Sequence, residues 1–240
     1  MEHPILFISV ILEALGLPVP HGPVGDTLLA KIVSPHLTYT WLVMAFLIIV
    51  PKLTLGKMEM IPGKGQNFWE LIIDGLEGFM AENMGEEGAR LMFPMLATFA
   101  FYILTSNLIG LMPGFMSPTS NINITLGCTL IVFTTTHILG IKFHGIKYIK
   151  HFMGPIWWLS PLIFVVEVIG HLARVLSLSI RLFGNIFGEE LVLAILMFLA
   201  GLYLAPLPVM FLGLFTGGVQ AFIFCLLSMM YFAGAIEHAH

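Results

Sequence analysis

PLIFVVEVIGHLARVLSLSIRLFGNIFGEELVLAILMFLAGLYLA, residues 161–205, decides what kind of molecule this sequence makes. Its 45 residues hold no proline after the first. At about 1.5 Å per residue a continuous helix over them would run about 67 Å. The hydrocarbon core of a bilayer is only about 30 Å thick. The segment must therefore tilt steeply or break, and it contains no strong breaker. Within 24 positions it also carries Glu167, His171, Arg174, Arg181, Glu189 and Glu190, all embedded in apolar sequence. An ionised side chain at bilayer depth costs at least about 2.5–3.5 kcal/mol, so such a set marks a functional site. The competing reading, a helix in water or ion pairs closed within the chain, fits poorly with the apolar residues between the charges.

The rest of the chain agrees. Of 240 residues, 58% are hydrophobic and 10% charged, where soluble domains carry about 25% charged residues. A cytosolic enzyme, a nucleic-acid binder and a disordered tail are excluded, which leaves an all-α integral membrane protein. The net charge of −4 gives no reason to invoke nucleic acid. Cys128 and Cys225 lie in apolar runs without metal spacing and read as packing residues. The nine histidines are scattered, with no paired-ligand motif. His137 and His144 read as helix-end or interfacial residues, and His238 and His240 as a polar tail. No cofactor or metal site is predicted. Pro18, Pro20 and Pro23 interrupt the opening stretch, and no cleaved signal peptide is expected.

Charge-free windows set the spans. A first crossing is expected at 37–52 after an outside segment at 1–36, with Tyr39 and Trp41 suited to an interface. Spans at 91–112 and 122–141 flank the breaker PGFMSPTSN at 113–121, with Ser120 or Asn121 as N-cap of the second. Residues 161–205 and 208–236 form a last pair around Pro206 and Pro208. Residues 66–84 place Trp69, Ile72, Ile73, Leu76, Phe79 and Met80 on one helical face and Glu70, Asp74, Glu77 and Glu82 on the other. This predicts an amphipathic interfacial helix, and its acidic polar face favours docking on a partner over anionic lipid. Lys52, Lys57, Lys64 and Arg90 lie in one connection, and Lys142, Lys147 and Lys150 in another. The positive-inside rule then gives five crossings, N-terminus outside and C-terminus inside.

Helical geometry sorts the charged segment further. At about 100° per residue, Gly170, Ala173, Arg174, Ser177, Arg181, Gly184 and Gly188 share one stripe. Small residues at this spacing allow close approach of another helix in lipid. Gly213, Thr216, Gly217, Gln220 and Phe224 make a second such stripe, which suggests a hairpin presenting a groove to a partner. Neither arginine can carry a proton, because a guanidinium does not deprotonate in proteins. Glu167 lies toward the inside, Glu189 and Glu190 toward the outside, and Arg181 between them. That order describes two half-paths that do not meet, and a mobile carboxylate to shuttle between them must come from another chain.

SLSIRLFGNIFGEELV at 177–192 with QAFIF at 220–224 resembles the membrane-embedded a subunit of rotary F-type ATP synthases, which is subunit 6 in mitochondria. SNLIGLMPG at 106–114 and SNINITL at 120–126 fit the same family in order, and the resemblance spans roughly residues 35–237. It implies a stator subunit, inactive alone, facing a ring of c subunits, with peripheral-stalk b subunits and the remaining synthase as further partners. Arg181 would be the essential cation meeting the ring carboxylate, with Gln220 beside it. Asn185 and Glu190 would line the outer half-channel, Glu167 the inner one, and Ser177 the ring face, while Asn107 matches a polar position near the outer path. Arg174 is a secondary cation. The resemblance also implies that the last two helices form a long, steeply tilted hairpin. The lack of signal or transit features favours a bacterial plasma membrane, the cell inner membrane in a Gram-negative organism. The transported ion would be H+ or Na+, decided by residues of the ring.

Some members carry a histidine seven residues before the glutamine of the last helix, where this chain has Gly213. Glu189, next to Glu190, is its expected replacement as outer relay. Gly110 stands where some members carry an acid. Two other function classes fit less well. A self-contained secondary ion transporter is expected to show paired repeats with broken helices, and an intramembrane hydrolase needs a nucleophile–base set that is missing here.

Overall fold

The computed structural model describes residues 35–56, 62–112, 115–145, 148, 158–200 and 206–237. Residues 1–34 of the expected outside segment, Lys57, Lys147, Lys150, residues 201–205 of the expected 161–205 helix and the histidine tail lie outside the described residues, while 35–36 already belong to the first helix. Among the described residues, five helices are long and apolar enough to cross a membrane. They are α1 (Pro35–Leu55), α2 (Lys64–Gly110), α3 (Ile122–His144), α4 (Ser160–Ala200) and α5 (Leu207–Glu237), with a 3-10 turn at Pro118–Ser120 between α2 and α3. No strand occurs among the described residues.

The amphipathic stretch is the first arm of α2 rather than a separate helix. The break is at Gly85, whose φ of 74° and ψ of 160° are open to glycine and to few other residues. Trp69 and Phe101 have ring centroids 6.1 Å apart. On a straight helix 32 residues would separate them by about 48 Å, so the first arm folds back along the second. Its apolar face finds cover within the same chain: Met80 is fully buried and Phe79 packs 5.3 Å from Phe222. Glu70, Asp74 and Glu82 stay exposed, as their spacing predicts. At the arm's start the Trp69 indole donates to Thr54 Oγ1 of α1 at 2.7 Å.

Asn121 caps α3, its side chain accepting from Asn123 N at 2.9 Å, as expected. Lys142 and His144 fall in the last turn of α3, where cations suit the helix dipole. Tyr39 departs from expectation: it is 1% exposed and packs against Phe115 at 5.9 Å, leaving Trp41 alone toward lipid. The position on α1 follows the inner face, not the interface. α4 runs 41 residues without a break, about 61 Å and about twice the hydrocarbon thickness.

Lipid is as apolar as leucine, so these helices are held by close packing and buried polar contacts rather than by exclusion from water. α2 and α5 run antiparallel, Gly88 beside Ile236, Phe99 beside Phe224, and Asn107 beside Gly217. α3 lies antiparallel on α4, with Thr125 and Ser179 hydroxyls 3.2 Å apart. Leu96, Ile103, Val132, Leu182, Phe224 and Phe232 fill the centre. His144 Nε2 lies 2.9 Å from Ala235 O, which gathers the basic end of α3, the end of α5 and the start of the second α2 arm. This is the basic end of the bundle. The opposite, turn end holds residues 117–120, Gly110 and Glu190. Outward faces are strongly apolar, Phe198 being 89% and Phe211 76% exposed.

Candidate functional site

α4 carries most of the charged chemistry along one rod, and its neighbours divide that chemistry into three parts. At the turn end, Glu190 Oε1 accepts the backbone N–H of Ser117 at 2.7 Å. The turn 117–120 is buried because its hydroxyls are spent internally. Ser117 Oγ donates to Ser106 O at 3.0 Å and lies 2.7 Å from Thr119 Oγ1. Thr119 Oγ1 donates to Asn107 Oδ1 at 2.8 Å, and Asn107 Nδ2 donates to Gly217 O at 3.1 Å. A polar chain thus runs from α5 through α2 and the turn to Glu190 on α4. Gly110 has its own reason: a side chain there would run into Ser117 and crowd the Glu190 carboxylate. Asn107, Glu189 and Glu190 together line a cavity of about 10 Å³, about the size of one water.

Glu189 points to α5. Its Oε1 occupies the space that a Cβ on Gly213 would need, and Thr216 Oγ1 donates toward Oε2 at 3.5 Å. Oε1 is buried without a hydrogen-bond partner among the described residues. The bare backbone of α5 therefore admits a carboxylate where a side chain would exclude it.

At the middle of α4, Asn185 Nδ2 donates to Gln220 Oε1 at 3.0 Å, joining the two helices expected to pair. Arg181, one turn away, is exposed, and its guanidinium has no hydrogen bond or ion pair among the described residues. Ser177 is exposed on the same side. A Cβ added to Gly170, Gly184 or Gly188 meets nothing within 4 Å. The α4 stripe is thus an open face of small residues on which Arg181 has no anion among the described residues. The α5 stripe differs from expectation. Gly213, Gly217, Gln220 and Phe224 are buried against this chain's own α2 and α4, and only Thr216 lies outside. The same small residues that would admit a foreign helix have been filled by Asn107 and Glu189.

Toward the basic end, Glu167 Oε1 lies 3.5 Å from His171 Nε2, one turn apart on α4. Arg174 stacks over Tyr231 of α5, with the guanidinium carbon 5.7 Å from the ring centre. The sequence-derived residues therefore meet in part. Asn107 joins the two outer carboxylates and Asn185 joins Gln220, while Arg181 meets none of them. Glu167 is 23 positions from Glu190 on one rod, about 34 Å away. Ser117 and Thr119 were missed, because a short polar run beside a proline resembles any surface loop. His137, which reads as a helix-end or interfacial residue, packs against His171 of α4 with ring centroids 5.0 Å apart.

Among the described residues, five helices long and apolar enough to cross a membrane, with Glu189, Glu190, Asn107 and Gln220 packed between them and Arg181 on an outward face, define an integral membrane protein. A family model described as ATP synthase A chain matches residues 37–233. The chain is 63% identical to ATP synthase subunit a of Desulfotalea psychrophila and 62% identical to that of Syntrophobacter fumaroxidans, covering 100% of both partners each time. It is 55% identical, again end to end, to ATP synthase subunit a of Desulfosudis oleivorans. The chain belongs to the ATP synthase A chain family, as the motifs around Arg181 lead one to expect.

Proposed function

We propose that this chain is the ion-translocating stator subunit of an F-type ATP synthase, working against a ring of c subunits and held by the peripheral-stalk b subunits. The observation that supports this most is Arg181, a permanent cation on an open small-residue face with no anion of its own chain among the described residues. A guanidinium cannot shed its charge, and leaving it alone at bilayer depth costs at least about 2.5–3.5 kcal/mol. A carboxylate arriving on a neighbouring helix removes that cost. Each arriving ring carboxylate must be ionised to pair with Arg181 and must be protonated to move on into lipid. The cation thereby separates two half-paths, one through Glu190, Glu189, Asn107 and Asn185 at the turn end and one through Glu167 at the basic end. Gln220 orients Asn185 beside the arginine, Ser177 offers a hydroxyl on the same face, and Arg174 is a second cation nearer the basic end.

In this reading α4 and α5 lie steeply tilted across the ring, which uses the excess length of α4. Glu189, seated on Gly213, takes the outer relay position that a last-helix histidine occupies in some members. The basic end faces the cytoplasm of a bacterium and the N-terminus faces outside, following the lysines and arginines of the connections. Substituting Arg181→Ala should abolish coupled ATP synthesis in the reconstituted complex, whereas Arg174→Ala should weaken it less. Equal losses at the two positions, or no loss at Arg181, refute the assignment. The purified chain should also bring down small, apolar ring subunits.

A further inference from the structure

The basic end contains a second group of titratable side chains. His137 of α3 and His171 of α4 face each other with ring centroids 5.0 Å apart. His137 Nδ1 is 2.8 Å from the Tyr148 hydroxyl, and the Tyr148 ring occupies the space left by the missing side chain of Gly140. His171 Nε2 reaches Glu167 at 3.5 Å. Phe133 closes the pair from one side, packing edge-on to His137 at 4.3 Å and to His171 at 6.2 Å. Beyond His171 lies a cavity of about 20 Å³ lined by Thr129, Thr136, His171, Arg174 and Tyr231, room for a single water with several polar neighbours. Among the described residues, Tyr148 and Glu167 face the pair at the basic end, with Arg174 and Tyr231 on the inner side.

We infer that His171 is an imidazole relay carrying protons between Glu167 at the basic end and the water-sized cavity beside Arg174, with His137 and Tyr148 packed behind it to hold its ring. This rests on the stator reading and names the side chains that serve its inner half-path. An imidazole takes a proton on one ring nitrogen and releases one from the other, so each transfer balances without net change at the histidine. Arg174, fixed in charge at the cavity wall, disfavours an imidazolium on that side, while Glu167 favours one from the opposite side, so His171 takes up a proton and gives it back rather than keeping it. Tyr148 holds the His137 ring by its Nδ1. Burial raises the Tyr148 phenol above its ordinary value, so it stays a neutral hydrogen-bonding group. Imidazoles serve protons and offer nothing to Na+ in a cavity that already holds a guanidinium, so this path is one for H+.

The test uses the complete synthase in liposomes, with ATP synthesis driven by an imposed pH gradient. His171→Ala should lower the rate about tenfold or more, and added imidazole should restore much of it. The pH profile should lose its inflection in the neutral range, where imidazole titrates. His137→Ala should have a smaller effect, through the looser His171 ring, and Tyr148→Phe a smaller one still. An unchanged rate overturns the relay, as does a loss that imidazole does not restore and that leaves the pH profile in its original form. If His171→Ala does not assemble, His171→Gln keeps a planar hydrogen-bonding group without titration and separates the same outcomes. Synthesis sustained by a Na+ gradient alone at uniform pH also overturns it. Arg181→Ala serves as the reference: if it leaves synthesis intact, the stator reading has failed, and if it abolishes synthesis while both histidine variants run at full rate, only the relay has.

Discussion

The small-residue faces of α4 and α5 are written in nearly the same letters and meet opposite fates. On α4, glycines 170, 184 and 188 look into open space, with Arg181 among them. On α5, Gly217 lies under Asn107, whose Cβ would stand 3.1 Å from an added side-chain carbon, and Gly213 lies under Glu189. Periodicity selects a face, and in lipid a bare face can take any neighbour that packs closely. What separates the two is the supply of polar side chains opposite. α5 meets an asparagine and a glutamate of its own chain. α4 presents a cation, Arg181, that meets no anion among the described residues.

The largest effect that could break this contrast is at the carboxylates where the two helices touch. Glu190→Gln should abolish proton-driven synthesis, and Glu189→Gln should lower it substantially, measured in the same vesicles. Full activity of Glu189→Gln would reduce the carboxylate over Gly213 to a packing group. A smaller effect separates the glycines. Gly217→Leu should destabilise the chain by about 1–3 kcal/mol through overpacking, read as a lower unfolding temperature of the detergent-solubilised complex. Gly184→Leu should leave the chain's own stability within about 0.5 kcal/mol yet lower synthesis, because the open face works against a partner. Equal stability losses would mean that both faces are internal. The smallest effect concerns how α4 is held from behind: Thr125→Val removes the Thr125–Ser179 contact and should cost about 0.6 kcal/mol, typical of such bonds in membranes.

Much of this architecture is legible in the chain because it depends on local composition. Runs without charge mark the helices, Asn121 announces the start of α3, and charges inside apolar sequence single out α4. What escapes depends on distant neighbours. The reversal at Gly85 is carried by one backbone angle in a stretch that already holds Gly75, Gly78 and Gly88. Tyr39 is an interface residue by type and a core residue by position. Ser117 and Thr119 gain their meaning only when Asn107 and Glu190 are brought to them from other helices. The same holds for His137, whose partners Tyr148 and His171 lie 11 and 34 positions further on.

The donor that Ser117 gives Glu190 belongs to the main chain, and this shapes what genetics can reveal there. Nineteen of the twenty coded residues retain an amide hydrogen, so a scan of position 117 reports on the hydroxyl contacts with Ser106 and Thr119 and leaves the amide's contribution hidden. Only Ser117→Pro removes that hydrogen. A tolerant position in such a scan would conceal a contact that every tolerated allele still makes.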